Sequence, residues 1–238
     1  MDIKWLLDNF IAHRGLHDEA VPENSPEAFR RAKEAGYNIE IDVRLTSDGE
    51  VVVFHDNTLT RMCGEMREIG NVTLSELKEF RLKDSAEKIP TLAETLDIVN
   101  GETGLLIEIK NEGNVGKLEQ ATLDILKNYG GKYAIQSFNP FSVQWFMEHA
   151  PEIPRGILSC SFAGASMPWY KRFILKHMLL NKMAKPNFIS YDEASLKKVF
   201  AKGRKLPVLA WTVRSEMRRR ELKDYADNII FENFIPGK

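Results

Sequence analysis

The sequence has few cysteines and no excess of charge of either sign. Only Cys63 and Cys160 occur among 238 residues, too few for a disulfide framework and too far apart for a C-x-x-C motif. The 33 Lys and Arg residues are balanced by 34 Asp and Glu residues and are spread along the chain, so we expect no basic surface for nucleic acid. These absences favour a globular protein that keeps its thiols reduced and does not bind nucleic acid.

Long apolar runs are also missing. The patch formed by Trp5, Leu6 and Leu7 is short and is flanked by Asp2 and Asp8, unlike the long apolar core of a signal peptide. No stretch approaches the roughly 20 apolar residues that a bilayer-spanning helix needs. We therefore expect a cytoplasmic protein without a transmembrane segment.

Short β-rich runs alternate with helix-length segments along the chain, and this alternation predicts an α/β fold. Nine runs are present, at residues 10–13, 38–45, 51–55, 105–110, 133–138, 155–160, 188–191, 207–212 and 228–232. A tight turn at residues 46–50 contains Asp48-Gly49, which joins antiparallel strands, so the run 51–55 is predicted to be the return of a β-hairpin. Eight βα units remain, which predicts a (β/α)8 TIM barrel that occupies residues 1–238 as one domain.

The segment 56–104 is longer than a single crossover helix requires. Its middle is polar and contains Gly64 and Gly70, whereas the capping boxes Thr73-Glu76 and Thr91-Glu94 mark the starts of helices. We predict a small insertion near the barrel mouth, without a second core.

Two of the predicted strands carry carboxylates among apolar residues. Glu40 and Asp42 lie two positions apart in one strand, and alternate residues of a strand share a face, so both acids point to the same side. Glu108 and Lys110 repeat this spacing in the next parallel strand. Three oxygen donors suit Ca²⁺ or Mg²⁺ better than zinc. The sequence therefore predicts a divalent cation site at Glu40, Asp42 and Glu108.

The hairpin predicts where His55 points. A turn centred on Asp48-Gly49 would pair Asp42 with His55, and residues paired across an antiparallel ladder lie on the same face. We therefore expect His55 to face the acidic residues.

A second imidazole and two cations are predicted at the same rim. His13 ends the first strand and Arg14 follows it, while Lys110 ends another strand. A single histidine at a strand end is more often structural than catalytic, but the convergence of His13, His55, Arg14 and Lys110 on a cation site favours chemistry. Such a site binds a phosphate ester with its cations and moves protons with its imidazoles.

The order of these motifs resembles the glycerophosphodiester phosphodiesterase family over nearly the whole chain. The motifs that carry the resemblance are Ile11-Ala12-His13-Arg14-Gly15, Pro22-Glu23-Asn24-Ser25, Glu40-Ile41-Asp42-Val43, Val53-Phe54-His55-Asp56, Ile107-Glu108-Ile109-Lys110, Gln136-Ser137-Phe138-Asn139 and Trp211-Thr212-Val213. The resemblance implies a TIM barrel that hydrolyses a small-molecule glycerophosphodiester to glycerol 3-phosphate and an alcohol. It implies that His13 and His55 form the acid/base pair. It also implies that Glu40, Asp42 and Glu108 are the metal ligands and that Arg14 and Lys110 contact the phosphate.

The chain departs from the family pattern at two places near its end. Family members commonly have a Thr-Asp pair on the last strand where this chain has Phe231-Glu232-Asn233. Asn commonly follows the position of Val213, where this chain has Arg214. Because these positions border the predicted pocket, we expect them to affect how the substrate is bound.

Two further features have alternative interpretations. Phe138 and Trp211 end strands and either contact the glycerol or leaving alcohol or pack the barrel top. The segment 168–186 mixes aromatic and basic residues; we interpret it as an ordinary barrel helix, with contact to a membrane surface or a cover over the site as the alternatives.

Three functions are compatible with these patterns. The leading one is hydrolysis of glycerophosphodiesters, and the same site could instead cleave a lysophospholipid. A catalytically silent barrel that binds phosphate or a polyol is the third. The presence of both His13 and His55 argues against the silent barrel, because binding alone needs no proton carriers. Two routes of attack on the phosphorus are compatible with the patterns. The hydroxyl on the glycerol carbon next to the phosphoester oxygen could attack and give a cyclic phosphate, or a cation-activated water could attack directly.

Overall fold

Eight parallel strands form a closed barrel in the computed structural model, which describes residues 2–111, 113–199 and 205–237. These are β1 Ile11–Ala12, β2 Asn38–Leu45, β4 Leu105–Ile109, β5 Tyr133–Ser137, β6 Arg155–Ser159, β7 Phe188–Asp192, β8 Val208–Val213 and β9 Asn228–Phe231, and a ninth strand, β3 Val51–Val53, lies outside the ring. Their order is β1-β9-β8-β7-β6-β5-β4-β2, and a β1–β2 pairing closes the ring, while β3 pairs antiparallel with β2. The predicted TIM barrel with a hairpin is confirmed.

Helices connect most of the strands. They are α1 Lys4–Asp8, α2 Pro26–Glu34, α3 Thr60–Cys63, α4 Leu74–Leu77, α5 Leu92–Val99, α6 Lys117–Leu126, α7 Pro140–His149, α8 Trp169–Lys176, α9 Asn181–Ala184, α10 Glu193–Val199 and α11 Glu216–Leu222. The capping boxes that start α4 and α5 form as the sequence predicts. Within the described residues, no helix is both long and apolar enough to cross a bilayer, and Cys63 and Cys160 are free.

Residues of each strand alternate between two environments. Ile39, Ile41 and Val43 of β2 pack outward against the surrounding helices in the largest apolar cluster, whereas Glu40 and Asp42 point into the barrel. A separate cluster fills the amino-terminal half of the interior, and its buried members are Leu6, Ile11, Leu106, Ala134, Phe188, Leu209 and Ile230. The polar interior positions are therefore concentrated near the carboxyl ends of the strands.

Helix α1 closes the amino-terminal end of the barrel. Its Leu6 is completely buried, and two strand-initial amides hold it in place. The Asn38 side chain donates to the Trp5 carbonyl at 2.9 Å, and that of Asn228 donates to the Leu6 carbonyl at 2.8 Å. These bonds satisfy backbone carbonyls on the side of α1 that faces the barrel, where an unpaired group would be costly.

The hairpin forms with a register one residue from the predicted one. Val43 pairs with Val53, and the Phe54 amide donates to the Asp42 carbonyl at 2.9 Å. Phe54, and not His55, therefore lies opposite Asp42, so the predicted Asp42–His55 pair was wrong.

The length of the hairpin loop explains the one-residue difference in register. The Thr46 amide donates to the Glu50 carbonyl at 2.9 Å, which leaves three residues in the loop instead of an even number. Gly49 adopts φ +87°, the left-handed conformation that three-residue hairpin loops need. His55 still lines the cavity with the acidic residues, because β3 ends at Val53 and the chain leaves the ladder before it.

The predicted insertion contains α3, α4 and α5, and it has a buried apolar cluster of its own. Val52 and Phe54 of the hairpin join this cluster, so it is attached to the barrel through β3. The expectation of no second core was wrong, because single apolar residues spaced without a regular period gave no signal. The other buried members are Leu59, Met62, Ile69, Val72, Leu77, Leu82 and Ile89.

Candidate active site

Three carboxylates meet on the inner wall of the barrel. Asp42 of β2 is in register with Glu108 of β4, and Glu40 lies two residues before Asp42. All three side chains are buried, and each offers an oxygen within 4.8 Å of the others. The structure thus brings together the three residues that the strand pattern predicts to converge, and the buried triad could hold a metal ion.

The acidic residues are crowded like charges in a site shielded from water. Burial, together with Asp42 and Glu108, raises the pKa of Glu40 well above its ordinary value. Burial also raises the pKa of Glu108 to about 7. A divalent cation would favour the ionised form of both carboxylates, and a set of carboxylate oxygens is the donor chemistry that Ca²⁺ or Mg²⁺ prefers. The residues present therefore fit such an ion.

Two cationic side chains border the acidic cluster. Lys110 Nζ lies 2.7 Å from Glu108 Oε1 and 3.1 Å from Asp42 Oδ1, and Arg14 Nε lies 3.3 Å from Asp42 Oδ2. Burial alone would raise the pKa of Asp42, but Lys110 and Arg14 lower it below its usual range. Asp42 is therefore ionised, and the two cations lie where an anionic substrate group would meet the acidic cluster.

The chain turns sharply after β1 and brings Arg14 to the cluster. Arg14 adopts φ +57° and Gly15 φ +82°, and the Arg14 amide donates to Glu40 Oε2 at 3.1 Å. A Cβ on Gly15 would lie 2.8 Å from the Cβ of Ala28 in α2. Only glycine fits this close approach without displacing α2 or the turn.

His13 is held by a carboxylate from the last strand. Its Nδ1 lies 2.5 Å from Glu232 Oε2, and its Nε2 lies 4.0 Å from Glu40 Oε2. Burial lowers the pKa of His13, and the hydrogen bond to Glu232 partly opposes this effect. With Nδ1 bonded to the carboxylate, Nε2 is the nitrogen that faces the cavity and can exchange a proton there.

His55 has a similar arrangement. Its Nδ1 lies 2.7 Å from Asp56 Oδ1, and Arg61 Nε donates to Asp56 Oδ2 at 2.7 Å. Burial lowers the pKa of His55, with Asp42 acting in the opposite direction. Each imidazole is therefore hydrogen-bonded to a carboxylate through Nδ1, and its Nε2 is the nitrogen available to the cavity.

Glu23 and Asn24 connect these groups. Glu23 Oε1 accepts hydrogen bonds from Arg14 at 2.6 Å and from Arg61 at 2.7 Å. Although burial opposes it, Arg61 and Arg14 lower the pKa of Glu23 to about 2. The Asn24 amide donates to Asp42 Oδ2 at 2.8 Å. The loop before α2 therefore fixes the orientation of Arg14 and Asp42.

Four side chains that hold the site were not predicted as site residues: Glu23, Asn24, Asp56 and Glu232. Glu23, Asn24 and Asp56 lie inside motifs quoted above, but no spacing rule assigns them a partner. For Glu232 the sequence does contain a signal that it points into the barrel. It lies two positions after the inward-facing Ile230, and residues two apart on a strand share a face.

A cavity of about 240 Å³ brings the groups together at the carboxyl end of the barrel. It is lined by both histidines, Arg14, Lys110, Glu40 and Glu108, and also by Phe138, Trp211 and Arg214. A larger groove of about 980 Å³ includes Lys110 but neither histidine nor Glu40, so the smaller cavity is the candidate active site. Active sites of TIM barrels lie at this end.

One wall of the cavity is aromatic. The rings of Phe138 and Trp211 meet edge to face at 5.5 Å, and Phe162 contacts Phe138 at 6.1 Å. Trp211 Nε1 is buried and has no hydrogen-bond partner among the described residues. The structure places both predicted aromatic residues in the cavity wall, where they also pack against each other.

Comparison with known proteins identifies the family of the chain. The profile of the glycerophosphoryl diester phosphodiesterase family matches residues 13–235. A glycerophosphodiester phosphodiesterase of Caldanaerobacter subterraneus is 32% identical over 94% of this chain and 93% of its own. A putative glycerophosphodiester phosphodiesterase of Bacillus subtilis is 30% identical over 92% of this chain and 96% of its own.

Solved structures agree with the fold. A phosphodiesterase of Oleispira antarctica, determined in complex with the product sn-glycerol-3-phosphate, has a TM-score of 0.79 and 27% identity over 95% of this chain and 93% of its own. The glycerophosphodiester phosphodiesterase of Thermotoga maritima has a TM-score of 0.71 and 28% identity over 93% of both chains. The chain therefore belongs to the glycerophosphoryl diester phosphodiesterase family, the enzymes that hydrolyse glycerophosphodiesters.

Proposed function

We propose that this enzyme hydrolyses glycerophosphodiesters to glycerol 3-phosphate and an alcohol with the help of Ca²⁺ or Mg²⁺ held by Glu40, Asp42 and Glu108. The observation that carries the proposal is the presence, in one cavity, of two imidazoles beside three buried carboxylates. The complex of the Oleispira relative with sn-glycerol-3-phosphate supports this product. The two free cysteines agree with a cytoplasmic location.

The basic side chains would bind the phosphate. Lys110 and Arg14 already lie beside the acidic cluster, so a phosphate bound at the cavity mouth would contact both side chains. When bound, the divalent cation would neutralise negative charge that develops on the phosphoryl oxygens. Phe138 and Trp211 would contact the carbon atoms of the glycerol or of the leaving alcohol.

The two imidazoles would divide the proton transfers. One takes a proton from the attacking hydroxyl, and the other gives a proton to the oxygen of the departing alcohol. The carboxylates at Nδ1 keep each Nε2 directed into the cavity. The attacking group is either the hydroxyl on the neighbouring glycerol carbon, which gives a cyclic phosphate that is then hydrolysed, or water.

Product analysis tests the reaction. Glycerophosphocholine, glycerophosphoethanolamine and lysophosphatidylcholine should be incubated with the enzyme, with and without a chelator, and the products identified. We expect glycerol 3-phosphate from the two water-soluble diesters, no turnover after chelation, and recovery with Ca²⁺ or Mg²⁺. Full activity after exhaustive chelation would overturn the role of the cation, and cleavage of the lysolipid alone would favour the phospholipase reaction. Absence of product from all three would indicate a silent binding barrel.

Histidine variants test the proton carriers. His13→Ala and His55→Ala should each lower kcat by roughly a hundredfold or more, the usual scale for losing a general acid or base. His149→Ala is the control, because His149 is exposed and stacks on Trp145 in α7. Near wild-type turnover in either of the first two variants would remove that residue from the mechanism. Normal cleavage of a diester that lacks the neighbouring hydroxyl would exclude obligatory cyclisation.

A further inference from the structure

The connection after β6 presents an exposed aromatic surface. In α8, the side chains of Trp169, Tyr170 and Phe173 are 77%, 49% and 52% exposed, and no residue of the helix is fully buried. Trp169 and Phe173 lie four positions apart and share a face, with Tyr170 beside them. An ordinary barrel helix turns its apolar face inward, so α8 differs from the barrel helix that the sequence suggested.

The same connection is basic. The chain contains no Asp or Glu from residue 153 to residue 191, although acidic and basic residues are balanced over the whole sequence. Among the described residues, no carboxylate forms an ion pair with the cations of this segment. By contrast, the three arginines of α11 all pair with glutamates. Outside β6, which contains Arg155, the cations of this segment are Lys171, Arg172, Lys176, Lys182 and Lys185.

This surface lies at the active-site end of the barrel and is firmly attached. The Ser159 hydroxyl at the end of β6 donates to the Leu175 carbonyl at 2.8 Å, and the Tyr191 hydroxyl of β7 lies 3.2 Å from the Lys176 carbonyl. Phe162, in the same connection, contacts Phe138 of the cavity wall. The carboxyl-terminal end of α8 is therefore held at the ends of β6 and β7, the end of the barrel that carries the cavity.

We propose that the α8 surface, formed by Trp169, Tyr170 and Phe173 and the five cations named above, binds an anionic phospholipid membrane. Exposed aromatic rings partition into the interfacial region of a bilayer, and flanking cations are attracted to anionic headgroups. A symmetric contact with a second copy is disfavoured, because it would place the unpaired cations against the same cations. Membrane binding would hold the cavity mouth close to the lipid surface.

Vesicle binding tests the proposal. The full-length protein should sediment with vesicles of phosphatidylcholine and phosphatidylglycerol and should bind phosphatidylcholine alone at least about tenfold more weakly. Trp169→Ala/Phe173→Ala should weaken binding to the anionic vesicles by roughly tenfold or more. Lys171→Gln/Lys176→Gln should weaken binding and reduce its dependence on salt. Vesicle sedimentation requires no turnover, so its result does not depend on the proposed function. Hydrolysis of glycerophosphocholine should be unchanged in all these variants.

A matched control removes exposed apolar side chains elsewhere. Met66 and Met217 are 91% and 71% exposed, so Met66→Ala/Met217→Ala should bind anionic vesicles as the wild type does. Thermal unfolding midpoints show that each variant is folded. Equal binding to neutral and anionic vesicles, no binding to either, or unchanged binding of Trp169→Ala/Phe173→Ala would overturn the proposal. A dimer that Trp169→Ala/Phe173→Ala dissociates, without vesicle binding, would assign the surface to a second copy.

Discussion

Glu232→Gln tests whether the carboxylate that follows β9 sets the pKa of His13. Glu232 Oε2 lies 2.5 Å from His13 Nδ1, while Arg214 Nε donates to the other oxygen, Oε1, at 2.7 Å. Burial alone would raise the pKa of Glu232, but its contacts with His13 and His17 hold that pKa below its usual range. Glu232 is therefore ionised, and the substitution replaces a charged partner of His13 by a neutral one of similar shape.

The magnitude follows from the type of bond that is lost. A hydrogen bond to a charged group contributes about 1.5–3 kcal/mol, roughly twice a neutral one. Because glutamine still accepts a hydrogen bond, the loss corresponds to about 1.5 kcal/mol, a roughly tenfold decrease in kcat. Glu232 also raises the pKa of His13 against the effect of burial. Without this contribution the pKa of His13 falls further, and the limb of the pH–rate profile that His13 controls moves to lower pH.

The assay is the pH dependence of kcat and kcat/KM with glycerophosphocholine. Arg214→Gln is the matched control, since Arg214 is largely exposed and uses the oxygen that His13 does not contact. It should change kcat by less than about threefold, because exposed ion pairs contribute little. The control applies to kcat alone, since Arg214 lines the cavity and its loss is expected to alter KM. A Glu232→Gln variant with wild-type kcat and both limbs unmoved would refute the reasoning. Equal effects of the two substitutions would assign the effect to the ion pair with Arg214.

Three other predictions concern the walls and supports of the site. Trp211→Ala should lower kcat/KM and leave cation affinity unchanged, measured by calorimetry, while Trp211→Phe should retain most activity if the ring and not Nε1 makes the contact. Glu23→Gln should lower the free energy of unfolding at pH 7 by about 3 kcal/mol, since a shift from 4.5 to about 2 stabilises the fold above pH 4.5. In urea denaturation the difference from wild type should shrink as the pH falls from 4.5 toward 2, and a constant difference would contradict the assignment. Gly15→Ala should destabilise the protein by about 1–3 kcal/mol through contact with Ala28, whereas Gly70→Ala, with open space around its Cβ, should be nearly neutral; equal melting temperatures would refute the packing argument.

The barrel and the acidic cluster could be predicted because they depend on local periodicity. Alternation along one strand places Glu40 and Asp42 on the same face, and parallel neighbours then bring Glu108 beside them. The hairpin register could not be predicted in this way, because the same turn sequence fits a loop of three residues as well as one of two or four. The two kinds of loop turn opposite faces of the returning strand inward. His55 was thus placed in the correct cavity by an incorrect argument.

The supports of the site depend on closure of the barrel. His13 and Glu232 are separated by 219 residues, and only the pairing of β1 with β9 makes them neighbours. No local pattern contains that contact. An exposed face on α8 was an alternative and not the favoured interpretation for another reason, because an amphipathic pattern shows that a helix has an apolar face but not whether that face points to the core or away from it.

The packed interior beneath the cavity gives the catalytic pocket a closed end. The pocket reaches Leu158 and Ile230, and below it the cluster around Leu6, held by α1, fills the barrel. In the part of the chain that the structure describes, substrate and product therefore use the same entrance to the cavity. In the proposed reaction glycerol 3-phosphate has to leave before the next diester enters, so we expect it to inhibit the enzyme competitively, with a strength set by its affinity for the same phosphate contacts.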